Sequence, residues 1–136
     1  MKFYGQFTPP VDKVLYERYF KNKKNGISIE CGAFDGLTEN CTKFFEENFN
    51  WNTINIEPLP HIFEKLKLNR PSSININIAL SNYKGKQDIR VYDIPTHGIN
   101  NTNASLCHLP KHQQLLEKVS NNKYKDFEIC TTTYSS

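Results

Sequence analysis

The sequence predicts an α/β fold built on a parallel sheet, and three observations carry that expectation. Short β-branched runs alternate with longer segments whose apolar residues recur at helical spacing. Glycine, proline and asparagine mark the breaks between them. Strand, helix, strand, helix and strand all fall between Ile27 and Leu80, and in so short a span the crossovers make the strands parallel.

Residues 1–10 lead in and close on Pro9-Pro10, where a missing N–H is harmless because a helix start leaves that group unpaired. Val11, Val14, Leu15, Tyr19 and Phe20 then recur at helical spacing, with Asn25-Gly26 as the stop. Ile27 to Glu30 is the first strand. Leu37 to Phe49 reads as a helix that packs on the sheet by Phe44, Phe45 and Phe49. Asn50-Trp51-Asn52 turns the chain into a second strand, Thr53 to Ile56. After Pro58 and Pro60 a helix carries Ile62, Phe63, Leu66 and Leu68, with Lys65, Lys67 and Arg70 on its solvent side and Asn69-Arg70-Pro71 as its end. Ser73 to Leu80 sets Ile74, Ile76 and Ile78 against Asn75 and Asn77, a third strand with one polar face or end. Beyond it the pattern changes. Tyr83 to Lys86 is a turn, Asp88 to Asp93 alternates like an antiparallel strand, and His97 to Asn103 is a polar loop. Leu109 to Val119 reads as a short helix and Asp126 to Tyr134 as a β-branched strand.

A chain of 136 residues suits one compact domain, so residues 1–136 are expected to form a single unit. A net charge of +3, with basic residues grouped only at Lys21-Asn22-Lys23-Lys24, argues against nucleic acid as a partner. Cys31, Cys41, Cys107 and Cys130 include no Cys-x-x-Cys pair and match no zinc or disulfide framework; reduced thiols in a cytoplasmic protein are the expectation. Met1 to Gly5 does not open a signal peptide, and no apolar run approaches the ~20 residues of a membrane span. His108 and His112 lie four apart around Pro110 with no carboxylate in register, so no metal site is expected there.

The chemistry concentrates in Glu30-Cys31-Gly32-Ala33-Phe34-Asp35-Gly36 and in Glu57. A glycine turn after one strand and an acid at the end of the next is how α/β folds hold a nucleoside-bearing cofactor. Gly32 and Gly36 let the backbone approach a ligand. A helix beginning near Thr38 would present free N–H groups. Glu57 could accept both hydroxyls of a ribose, since a carboxylate offers paired acceptors. Glu30 and Asp35 make the pocket acidic, which suits the sulfonium and ammonium groups of S-adenosylmethionine and would repel a pyrophosphate. The spacing Glu-x-Gly-x-x-x-Gly points the same way. The competing reading is an ordinary turn in which Asp35 satisfies local backbone donors.

At this point the sequence resembles a family. Tyr4-Gly5-Gln6, Gly26 to Gly36, Thr42-Lys43-Phe44-Phe45-Glu46, Trp51, Asn55-Ile56-Glu57-Pro58, Asn69-Arg70 and Asn77-Ile78-Ala79-Leu80-Ser81 resemble, in register from Tyr4 to Gly85, an FkbM-type S-adenosylmethionine-dependent methyltransferase domain. The resemblance implies a class I methyltransferase (Rossmann-like) three-layer sandwich and O-methylation of a small-molecule or glycan-type acceptor. By that resemblance Glu30, Gly32, Ala33, Asp35 and Gly36 line the methionine side of the cofactor, Glu57 holds the ribose, and Pro58, Ala79, Leu80 and Ser81 border the adenine. Asn40-Cys41-Thr42 stands where the family usually has Ser-Asn-Thr, so Thr42 is kept and Cys41 departs from the pattern. The sequence also stops where the family continues into a fourth strand with an Asp-x-Glu-Gly type motif. The expectation is therefore a domain incomplete at its C-terminus, truncated after the third parallel strand and an antiparallel extension, with an open sheet edge through which copies could self-associate. No catalytic base is identified. A non-catalytic binding or regulatory module is the alternative, and a dehydrogenase-type nucleotide domain a third reading.

Overall fold

A computed structural model of the chain describes every residue except Tyr134 and Ser136. It divides into two compact units, Met1–Asn77 and Ile78–Ser136.

The first unit holds α1 (Val11–Arg18), β1 (Ile27–Cys31), α2 (Lys43–Phe49), β2 (Asn52–Ile56), α3 (Pro60–Asn69) and β3 (Ile74–Ile76). Its strands lie in the order β1-β2-β3, all parallel, with Ile29 beside Ile54 and Ile54 beside Ile74. The expected parallel crossovers are therefore present. The two faces of this sheet differ in polarity. Thr53 and Asn55 are buried, whereas Ile27, Ile29 and Ile74 are 73%, 58% and 61% exposed. The polar side of the sheet is the covered one, and hydrogen bonds hold it. Ser28 Oγ and Thr53 Oγ1 lie 3.0 Å apart, Asn55 Nδ2 donates to Asn75 Oδ1 at 3.1 Å, and Asn75 Nδ2 donates to the Arg70 carbonyl at 3.0 Å.

The apolar core of this unit is aromatic. Phe44, Phe45, Phe49 and Trp51 are buried, with Phe3, Tyr4, Leu15, Tyr16 and Phe20 packed against them. The rings of α2 meet α1 and the N-terminal segment: Phe44 stacks on Phe3 at 4.5 Å and meets Tyr16 edge-on at 5.3 Å. Trp51 donates its indole N–H to the Lys23 carbonyl at 2.8 Å. Its ring lies 2.5 Å from where a Cβ on Gly26 would stand, so only glycine fits there. Fully buried Asp12 fastens the N-terminal segment by accepting the N–H groups of Tyr4 and Gly5 at 2.7 and 3.1 Å.

Three element boundaries differ from the sequence expectation. Helix α1 ends at Arg18, and Asn22 and Asn25 take left-handed conformations on the way to β1. Helix α2 starts at Lys43 rather than Leu37. Asp35 claims the N–H groups of Leu37 and Thr38, and Glu39 has φ 53°, which breaks any helix there. The third strand is two pieces. β3 ends at Ile76, because Asn77 turns its amide to the carbonyls of Glu57 and Pro58, each at 2.9 Å.

The second unit holds β4 (Ala79–Leu80), β5 (Gly85–Tyr92), α4 (Pro110–Ser120) and β6 (Tyr124–Thr132). Its sheet has the order β4-β6-β5, with β4 parallel and β5 antiparallel to β6. The antiparallel extension and the short helix are as expected, with Pro110 in the first turn of α4. Tyr134, the expected end of the last strand, lies outside the described residues. Ile89, Val91, Tyr92, Leu116 and Ile129 form the core. The asparagine-rich loop is tied down: Asn101 Nδ2 donates to the Tyr92 carbonyl at 2.8 Å, and Asn103 Oδ1 accepts the Tyr92 N–H at 2.9 Å.

Among the described residues, no helix is long and apolar enough to cross a membrane.

Candidate cofactor site at the ends of the first two strands

Parallel pairing brings the ends of β1 and β2 together. The Ile56 carbonyl accepts N–H bonds from Gly32 at 2.8 Å and from Ala33 at 3.0 Å. Glu57 follows directly. Its Oε2 accepts the Phe34 N–H at 2.9 Å and its Oε1 the Leu59 N–H at 3.0 Å. One carboxylate thus joins the turn after β1 to the turn after β2. Burial, with the residue only 5% exposed, raises its pKa from 4.5, and the two N–H donors partly oppose that shift. A carboxylate has about four acceptor sites, so each oxygen of Glu57 keeps one beyond its backbone bond.

The two glycines serve different ends. Gly32 has φ +72°, and a Cβ there would meet nothing within 4 Å. Its backbone lies open to an approaching ligand. Gly36 has φ +79°, but its Cβ would stand 2.5 Å from Arg70 Cγ and 2.8 Å from Leu66 Cδ1. Gly36 is glycine because α3 presses on the turn. Between them Ala33 is buried.

Asp35 behaves as the competing reading described. Its Oδ1 accepts the Leu37 and Thr38 N–H groups at 2.9 and 2.7 Å, and its Oδ2 the Thr38 hydroxyl at 2.8 Å. Glu30 reaches the start of α2, accepting the N–H groups of Cys41 and Thr42 at 3.0 and 3.2 Å and the Thr42 hydroxyl at 2.6 Å. Asn40 Oδ1 takes the Lys43 N–H at 2.8 Å. The expected free N–H groups at a helix start near Thr38 are therefore not offered there, because the helix begins later and these side chains cap it. Desolvation, then the charges of Glu30 and Asp12, push the Cys41 thiol up to about 11.

Pro58 is half-buried beside Glu57. Ala79, Leu80 and Ser81 belong to the second unit. Ala79 is buried there, and Ser81 donates its N–H to the Thr132 carbonyl at 2.9 Å and its hydroxyl to Gln87 Oε1 at 3.2 Å.

Arg70, expected on a solvent face, is fully buried. Its Nε donates to Glu46 Oε2 at 2.8 Å, its Nη2 also bonds that carboxylate, and its Nη1 donates to Asn40 Oδ1 at 3.0 Å and to the Gly36 carbonyl at 3.2 Å. The one signal in the sequence was its place in the Asn69-Arg70 pair, directly at the helix stop.

Fold and turn define a mixed α/β protein whose parallel strands close on a glycine turn bridged by a buried glutamate. A sequence model described as the methyltransferase FkbM domain matches residues 30–133, and the chain belongs to that family. The match begins at Glu30 and takes in the whole turn, Glu57 and Ala79 to Ser81. No curated protein and no solved structure matches the chain.

Proposed function

We propose that the chain is an S-adenosylmethionine-dependent methyltransferase domain of class I type, acting on an oxygen of a small-molecule or glycan-type acceptor. The observation that carries this reading is the Glu57 carboxylate, locked beside the open backbone of Gly32 with acceptor capacity to spare. That fits the cofactor: two acceptor positions suit the vicinal ribose hydroxyls, and an exposed glycine backbone admits the methionyl chain. Glu30 and Asp35 give the turn a negative field, favourable to a sulfonium and an ammonium group. Pro58, directly after Glu57, is assigned to the adenine by the family resemblance. When bound, the cofactor supplies an activated methyl group for in-line displacement by an acceptor oxygen. The chain's share is to hold and orient the cofactor, since proximity can supply much of such a rate.

The class I three-layer sandwich draws support from β1-β2-β3 and from the isoleucine face of that sheet, which a second helix layer would cover. The outer edge of β1, without a neighbouring strand among the described residues, is where copies would self-associate. A second reading, a non-catalytic module on the same fold, is favoured by Glu30 and Asp35 each being committed to backbone donors.

Equilibrium dialysis with S-adenosylmethionine, S-adenosylhomocysteine and NAD tests the proposal. Saturable retention of the first two but not of NAD is expected. Preference for NAD would select the dehydrogenase-type reading, and retention of none of the three would overturn cofactor binding.

A further inference from the structure

We propose that Asn69 and Arg70, the last residue of α3 and the one after it, are positioning residues that set the geometry of the glycine turn toward the cofactor. The inference rests on the S-adenosylmethionine reading of that turn. Asn69 Nδ2 donates to the Asp35 carbonyl at 2.8 Å, and Arg70 Nη1 donates to the Gly36 carbonyl at 3.2 Å. Glu57 meanwhile accepts the Phe34 N–H. Three consecutive residues of the turn, 34 to 36, are thus each gripped by a side chain from outside it.

The guanidinium does more than pair with Glu46. A buried ion pair needs only its partner, and Ser73 already helps to fix Glu46 through a hydroxyl at 2.6 Å. The remaining donors of Arg70 go to the turn and its exit: Gly36, Asn40, and the Thr42 hydroxyl at 3.4 Å. Thr42 passes the connection to Glu30 Oε2 at 2.6 Å. One planar fork therefore links the end of α3 to both the turn and the acid at the end of β1, a geometry that a lysine ammonium does not reproduce. The absent Cβ of Gly36 brings that backbone within reach of the fork. Neither Asn69 nor Arg70 comes within 4 Å of where a Cβ on Gly32 would stand, so neither is assigned a contact with the cofactor.

The test uses the full chain with Asn69→Ala and Arg70→Lys. Three quantities are measured well below each variant's melting temperature: the folded fraction, the Kd for S-adenosylmethionine by calorimetry, and the amide resonances of Gly32, Ala33 and Gly36. The expected result is a folded Asn69→Ala protein with shifted turn amides and affinity lowered about tenfold, because a displaced turn misplaces the ligand. Arg70→Lys should do the same or more. A merely structural role would lower the melting temperature and leave native-state amides and affinity within twofold of wild type; that result overturns the inference. If wild type binds no cofactor, the cofactor reading fails and the amide shifts alone decide whether the pair positions the turn. Asn69→Ala, which removes a half-buried amide, keeps the test decisive even if Arg70→Lys does not fold.

Discussion

Gly32 and Gly36 should respond very differently to the same substitution. Both have left-handed backbone, at φ +72° and +79°, so alanine at either incurs a conformational strain of roughly 1–2 kcal/mol. At Gly32 that is all, because its Cβ would meet nothing within 4 Å. At Gly36 the Cβ would stand 2.5 Å from Arg70 Cγ and 2.8 Å from Leu66 Cδ1, both on side chains buried under the turn. Overpacking of that kind adds about 1–3 kcal/mol. Gly36→Ala should therefore lose roughly 2–5 kcal/mol and Gly32→Ala roughly 1–2 kcal/mol. Urea unfolding followed by circular dichroism reads the difference as a larger midpoint shift for Gly36→Ala at similar slope. Gly32→Ala should in turn lose more cofactor affinity than stability. Equal destabilisation by the two substitutions would refute the division of labour between the glycines.

Other outcomes follow from single side chains. Asp12→Ala leaves part-buried N–H groups of the N-terminal segment without their acceptor and should lose about 1.5–3 kcal/mol by thermal melting, the range for hydrogen bonds to a charged group; a loss under about 0.5 kcal/mol would contradict the staple. Because burial raises the Glu57 pKa from 4.5, its folded form binds a proton more tightly than its unfolded form. Its contribution therefore favours the fold at low pH and declines as pH rises through the interval between the two values. Cofactor affinity should run the other way, falling as the pH drops through that raised value; a pH-independent Kd across the acidic range would contradict a charged ribose acceptor. Cys41, with its thiol near 11 and partly covered, should react with a disulfide reagent at neutral pH more slowly than exposed Cys31, Cys107 and Cys130. Four equally fast thiols would count against its setting.

Much of the first unit was legible because local signals sufficed. Three β-branched runs with short crossovers leave little choice but a parallel sheet, and an acid directly after a strand is conspicuous at Glu57. The covered face was not legible. Alternation in the third strand announces a polar and an apolar face without saying which is covered, and the covered one is polar: Thr53 and Asn55 bond to Ser28 and Asn75, and Asn75 to the Arg70 carbonyl. The start of α2 was obscured because Asp35, Thr38 and Asn40 are all residues that can precede a helix, and only the tertiary bonds of Glu30 decide among them. Arg70 looked like one more surface cation. Its partner Glu46 lies on another helix 24 residues away, a separation that no periodic pattern reports. The third strand failed at Asn77, where the side chain caps the end of β2 instead of continuing a ladder.

Whether Glu57 holds the ribose of S-adenosylmethionine at the turn after β1 is decided by a calorimetric titration of the cofactor into wild type and Glu57→Ala, each first shown to be folded. Wild type should bind saturably and the variant should show no measurable binding. Unchanged affinity in Glu57→Ala would contradict that role.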